Sequence, residues 1–177
     1  GGFKLGVGMI RVGNGIPELQ WDTILRMRPT VCVCVPSFMI KLAEFAQAHG
    51  IDYHRCSLKK AFCVGESIRN NDLTMNILGK KLQDIWPELQ LYCNYASTEM
   101  QSSFMECECM CGAHHKPNLT IVEFLDENNR RVKENEQGEI TITTLGVEGM
   151  PMVRFKTGDI CYHFTEKCSC GRTSVRL

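Results

Sequence analysis

Residues 95–99, Tyr95-Ala96-Ser97-Thr98-Glu99, bring together the parts that a nucleotide site needs. The aromatic ring offers a face for a purine, a hydroxyl can bond a phosphate oxygen, and the carboxylate can hold Mg²⁺ against phosphates. Magnesium is typically held by one or two carboxylates plus substrate phosphates, so Glu99 is enough. The plainer reading is a helix start with Ser97 or Thr98 as its cap. Gly65-Glu66-Ser67 also follows a strand-like run, and its plainer reading is an ordinary strand-to-helix turn. No Gly-rich phosphate loop ending in Lys-Ser or Lys-Thr occurs, which excludes a Walker-type site within this chain.

The 11 cysteines fall into two kinds of surroundings. Cys32, Cys34 and Cys63 sit in strand-like apolar runs, where cysteine acts as a small buried hydrophobe. Cys107, Cys109, Cys111, Cys168 and Cys170 lie in turn-rich segments with His114 and His115 nearby. Clustered thiols beside imidazoles read as metal ligands before they read as disulfides. Cys168-Ser169-Cys170-Gly171 can supply two of the four ligands that a structural zinc needs, from one turn. Cys107, Cys109, Cys111, His114 and His115 compete for the other two places. The spacing is unlike a finger's paired Cys-x-x-Cys, and a set of reduced surface thiols is the alternative.

Such groups need a scaffold, and the first half of the chain alternates helix and strand signals. Pro17-Glu18 opens a helical stretch over 17–28, and 30–35 is β-branched and apolar. Pro36-Ser37 starts a helix in which Phe38, Leu42, Phe45 and Ala46 recur at helical spacing, closed by Gly50. Residues 59–64 read as a strand, 71–86 as a helix and 89–94 as a third strand. Short buried strands joined by helices predict an α/β layered domain, with a mostly parallel sheet and flanking helices. Ligands of such sheets bind beyond the carboxyl ends of the strands, where both 65–67 and 95–99 would lie. After about residue 100 the pattern changes. Residues 119–125 and 139–145 flank a polar Asp126-Glu127-Asn128-Asn129 turn, and 152–155 and 160–164 follow, predicting a small antiparallel β subdomain. The expected division is 1–100 and 101–177.

Composition narrows the function classes. Hydrophobic residues make up 44% and charged ones 23%, the balance of a globular chain. Lys plus Arg, 20, equals Asp plus Glu, 20, so no global field draws the chain to nucleic acid or anionic lipid. Apolar runs such as 31–35 are too short to span a bilayer, and Gly-Gly-Phe-Lys-Leu-Gly lacks the parts of a signal peptide. The expectation is a cytoplasmic protein without nucleic-acid or membrane partners. His49, His54 and His163 are expected to have no functional role.

Taken in order, these segments resemble the adenylate-forming enzymes, and within them the phenylacetate–CoA ligase group. That group carries a Tyr-Gly-x-Thr-Glu motif, matched by Tyr95 to Glu99 with Ala96 in place of the glycine. Gly138-Glu139-Ile140, Glu148-Gly149-Met150-Pro151 and Phe155-Lys156-Thr157-Gly158-Asp159 match in order. Cys168-Ser169-Cys170-Gly171-Arg172-Thr173 matches a stretch particular to the group, and Val35-Pro36-Ser37 and Gly65-Glu66-Ser67 also fit.

The resemblance implies a set of roles. Tyr95 would pack on adenine, Thr98 would contact the α-phosphate, and Glu99 would bind Mg²⁺, the last two as catalytic residues. Asp159 would accept hydrogen bonds from the ribose, although Thr-Gly-Asp is also good turn chemistry. Gly65, Glu66 and Ser67 would wall the adenine, with Asn94, Ala96 and Ser97 completing the ATP/AMP site. If the family glycine has φ > 0 or admits close approach of the nucleotide, Ala96 alters affinity. Aligned on Val122-Glu123, the group's Glu-Cys and following His fall on Glu106-Cys107 and His114. With Cys168 and Cys170 these would complete the zinc set.

The implied reaction activates a carboxylic acid as acyl-AMP and passes it to coenzyme A. Both substrates are small-molecule partners, and a homodimer is compatible with the family. A Ser/Thr/Gly-rich phosphate loop is expected before Gly1 and a lysine-bearing C-terminal domain after Leu177, so the chain alone is expected not to catalyse adenylation. Adenylation of another acid or of a deazaflavin cofactor is the neighbouring alternative. A zinc-stabilised interaction module without catalysis is the alternative from another class.

Overall fold

A computed structural model describes residues 2–13 and 15–177; Gly1, the first residue of the Gly-Gly-Phe start, and Asn14 lie outside the described residues. Pro17 opens helix α1 (Pro17–Met27), where its missing N–H costs nothing. Pro36 does the same for α2 (Pro36–Ala48). Between them runs strand β1 (Val31–Cys34), followed by β2 (Lys60–Cys63) and β3 (Gln90–Ser97). These three pair in parallel, in the order β1-β2-β3. Trp21, Leu42, Ala46, Leu82 and Trp86 form a core against this sheet. The Trp21 indole donates 2.9 Å to the Leu42 carbonyl, so its one polar atom is satisfied inside the core.

The helix expected over 71–86 is shorter: α3 spans Ile77–Ile85. The reason is local polar competition with the helical backbone. Asp72 Oδ1 accepts from the Thr74 N–H at 3.0 Å and Asn76 Oδ1 from the Gly79 N–H at 2.9 Å, so the helix begins only after the Asn76 cap. Residues 71–75 instead fold into a loop closed by a bridge between Arg69 and Met75.

The switch to antiparallel pairing near residue 100 takes place inside the first sheet. β4 (Ser102–Glu106) turns back along β3, and β5 (Ala113–His114) pairs with β4. Among the described residues no helix follows Ser97; the turn at 98–101 is closed by Gln101 N–H to Thr98 carbonyl, 3.2 Å, with Gln101 at φ 48°. β6 (Thr120–Leu125), β7 (Gly138–Thr144) and β8 (Phe155–Cys161) make a separate antiparallel sheet. The two strands expected at 152–155 and 160–164 are thus one. Phe124, Ile140 and Ile142 of this sheet share a core with Phe104 and Ala113 of the first and with Met100 of the 98–101 turn. All 11 cysteines are free thiols, and among the described residues no helix is long and apolar enough to cross a membrane.

Candidate functional site

A cleft of about 600 Å³ opens where the carboxyl ends of β2 and β3 face β8. Gly65, Glu66, Ser67, Asn94, Tyr95, Ala96 and Asp159 all line it, so seven residues singled out from the sequence meet in space. Ser97, Thr98 and Glu99 do not line it; Thr98 and Glu99 stand exposed in the turn that follows β3.

Tyr95 and Asp159 come from different sheets and are joined directly, the phenol donating to Asp159 Oδ2 at 2.7 Å. Burial pushes the Tyr95 phenol above its ordinary range, and the Asp159 carboxylate adds to the shift. A bulge in β8 aims Asp159. The pairing with β7 jumps register between Glu139 and Thr141, with Gly158 at φ +82° in the extra residues. That left-handed conformation suits glycine because it has no Cβ. The Thr157 hydroxyl donates 2.9 Å to the Ile140 carbonyl and receives the Asp159 N–H at 3.2 Å. Thr157-Gly158-Asp159 is therefore a bulged strand and not a turn.

The opposite wall is held from below. Gly65, at φ +83°, lets the chain leave β2 sharply. The Glu66 carboxylate then accepts the Ser37 N–H at 2.9 Å and the Ser37 hydroxyl at 2.8 Å. It satisfies an orphan donor in the first turn of α2, where negative charge is favoured. Ala96 lies in β3 opposite Ser103 with ordinary strand geometry, so no left-handed strain arises there. Close approach of a ligand is the remaining way it can matter. Asn94 Oδ1 is buried without a hydrogen-bond partner at the cleft.

Sequence reasoning missed one feature of this cleft. Glu106 reaches its floor from the end of β4, with its side chain 0% exposed, and pairs with Arg69. Arg69 Nε donates to Oε1 at 2.5 Å and Nη2 to Oε2 at 3.0 Å, while Oε2 also takes the Cys93 N–H at 2.7 Å. No periodic signal links two residues so far apart in the chain. The hints were an Arg two positions beyond Gly65-Glu66-Ser67 and the Glu-Cys match at Glu106-Cys107.

Next to Glu106 begins a second site. Cys107, His114, Cys168 and Cys170 place their ligand atoms within 4.8 Å of one another. The Cys107 and Cys168 sulfurs are 3.7 Å apart, and Cys170 Sγ is 3.5 Å from His114 Nε2. Sulfurs bound at about 2.3 Å to a tetrahedral ion would stand roughly 3.8 Å apart, so the donor set fits zinc in type and spacing. His114 Nδ1 lies 3.2 Å from the Ser174 hydroxyl, an outer contact that leaves Nε2 for a metal. Burial pushes the Cys107 thiol up to about 12, whereas the Cys170 N–H holds Cys168 down at about 5. Of the rival ligands, His115 gives Nε2 to the Thr120 carbonyl at 2.7 Å, and Cys111 approaches Cys168 to 3.3 Å without joining the mutual set. The tail is laid in place by β-type pairing: Ala113 and Leu177 exchange two 3.0 Å backbone bonds, and His115 N–H reaches the Val175 carbonyl at 2.8 Å.

Comparison with known proteins adds a family context. No family model matches the chain. A phenylacetate-coenzyme A ligase of Thermus thermophilus is 30% identical over 100% of this chain, and one of Pseudomonas putida is 28% identical over 90%. The chain spans only 39% and 36% of those relatives' lengths. Among solved structures, an open conformation of 2-hydroxyisobutyryl-CoA ligase, in complex with 2-HIB-AMP and CoA, shares the fold. Its TM-score is 0.79 at 23% identity, over 94% of this chain and 39% of that one.

Proposed function

We propose, for a chain that belongs with the phenylacetate–CoA ligase group of adenylate-forming enzymes, that it is the adenine- and ribose-binding part of an AMP-forming acid–CoA ligase. The observation that carries the reading is the Tyr95–Asp159 contact at the cleft, where an aromatic face and an unshared carboxylate oxygen meet. Tyr95 packs on the adenine and Asp159 accepts from the ribose hydroxyls. Gly65, Glu66, Ser67, Asn94 and Ala96 shape the wall. Ser97 and Thr98 follow towards the phosphates, Thr98 meeting the α-phosphate.

In the reaction a carboxylate oxygen of the acid attacks the α-phosphorus of ATP, and pyrophosphate leaves. The sulfur of coenzyme A then attacks the acyl carbon, its proton is lost, and AMP departs with the bonding pair as the thioester forms. This chain contributes binding and orientation, which lower the barrier by holding the reacting atoms in place. Glu99 would hold Mg²⁺, which would supply charge neutralisation at the phosphates. A structural zinc at Cys107, His114, Cys168 and Cys170 ties the β4–β5 loop to the tail. The enzyme works in the cytoplasm on an aryl acid of the phenylacetate type, and other segments of the full protein complete the acid and CoA sites.

Titration of the chain with AMP tests the pocket. Binding is expected in the unmodified chain and is expected to weaken at least about tenfold in Asp159→Ala, about 1.4 kcal/mol or more, the scale of one charge-assisted hydrogen bond. An unchanged affinity in that variant would show the pocket assignment to be wrong.

A further inference from the structure

The two sites share one short segment of chain. Glu106, Gly112 and Ala113 line the cleft, while Cys107 and His114 belong to the metal cluster. Cys107 follows Glu106 directly, so a shift in where its sulfur is held moves the backbone that carries the buried carboxylate.

That carboxylate has three fixed partners. It takes two N–H groups of Arg69, from Nε and Nη2, and the N–H of Cys93 in β3. Arg69 in turn stands in the loop that forms the cleft wall. Its Nη1 donates 3.3 Å to the Leu73 carbonyl, its backbone bridges Met75, and its N–H reaches the Ser67 hydroxyl at 3.2 Å. A planar guanidinium bound through two nitrogens transmits orientation as well as distance, which a single-point contact does not. The pair is well buried, with Arg69 10% and Glu106 0% exposed, so water cannot replace either partner cheaply.

We propose that Arg69 and Glu106 are positioning residues that couple metal binding at the cysteine–histidine cluster to nucleotide binding in the cleft. The inference rests on the reading of these as a zinc site and an AMP site. With the metal held, Cys107 sets Glu106, Glu106 sets Arg69, and Arg69 holds the 65–73 loop in the shape that receives the nucleotide. Without it, the loop samples other positions and the nucleotide must reorder it.

Coupling of this kind is reciprocal, so AMP must tighten zinc by the factor by which zinc tightens AMP. Zinc affinity is therefore measured against a competing chelator, with and without saturating AMP. In the unmodified chain AMP is expected to tighten zinc by about tenfold, within the usual range of such couplings. In Arg69→Lys, which keeps the charge but not the two-point contact, the factor is expected to fall to about one. Circular dichroism verifies that the variant is folded; should it not fold, Glu106→Gln replaces it in the same measurement. A purely structural role would weaken both affinities and leave their ratio alone, so an undiminished factor in the folded variant overturns the proposal. So does a chain that binds both ligands without mutual effect. A chain that binds zinc but no AMP at all removes the nucleotide reading itself, and the coupling with it.

Discussion

The phenol of Tyr95 on β3 donates a 2.7 Å hydrogen bond to Asp159 on β8, across the seam between the mixed five-stranded sheet and the antiparallel three-stranded one. The bond holds one carboxylate oxygen and leaves the other for a ligand, while the tyrosine ring stays fixed beside it. Tyr95→Phe keeps the ring but frees the carboxylate. It is expected to weaken AMP binding several-fold, less than Asp159→Ala does, because the ribose acceptor remains but is no longer oriented. Calorimetric titration of the two variants side by side gives the order. A Tyr95→Phe loss larger than that of Asp159→Ala would mean that the phenol itself contacts the nucleotide.

The cysteine–histidine cluster, read as a zinc site, leads to a prediction about where the molecule opens. Freshly reduced protein is expected to contain about one zinc per chain, and protein without zinc would remove the assignment. A structural zinc contributes roughly 10–16 kcal/mol in finger peptides, against about 5–15 kcal/mol for a whole domain. Chelation should therefore loosen the regions beyond residue 100 first. Hydrogen exchange is expected to rise at 107–115 and 163–177 while α1 and α2 stay protected. Exchange rising first in α2 would contradict this.

Glu66 links the cleft wall to α2 through both of its bonds to Ser37. Glu66→Ala leaves the Ser37 N–H unsatisfied at the helix start and removes a charge favoured there. The expected cost is about 1–2 kcal/mol in urea unfolding, the range for losing a helix cap. A change below about 0.3 kcal/mol would place the energy elsewhere.

His163 gives a pH dependence with a definite sign. It is buried, and its ring stacks on Phe124 with centroids 4.2 Å apart and planes 2° off parallel. Burial lowers its pKa below the ordinary 6.5, against the pull of Glu134. As pH falls the unfolded chain takes up that proton first, so the unfolded state gains protons and stability drops. The contribution is complete above about pH 6.5 and is lost as pH falls from there towards the folded value. His163→Phe preserves the stack and removes the titration. Unfolding free energies at about pH 7 and about pH 5.5 should differ less in the variant; an equal difference would assign the effect to other groups.

Much of this architecture is written locally. Pro17 and Pro36 announce helix starts because, within a helix, a missing N–H is tolerated only in the first turn, and the apolar runs 30–35, 59–64 and 89–94 are strands by composition. The ordered motifs also singled out Cys107, His114, Cys168 and Cys170, whose ligand atoms lie within 4.8 Å of one another. The late start of the expected 71–86 helix was also a local matter, yet apolar periodicity outweighed the Asp72 and Asn76 side chains that set the true boundary.

Tyr95 and Asp159 were thus visible from the sequence as separate motif members, each a matter of local pattern. That one holds the other was decided by the packing of two sheets over Phe104, Phe124 and Ile140. Membership of β4 and β5 in the first sheet, the single bulged β8, and the Arg69–Glu106 pair were decided in the same way. Each depends on which segments meet across long stretches of chain, and no local residue preference encodes such a meeting. Hydrophobic burial brings the sheets together, and the buried donors and acceptors must then find partners wherever that packing has placed them.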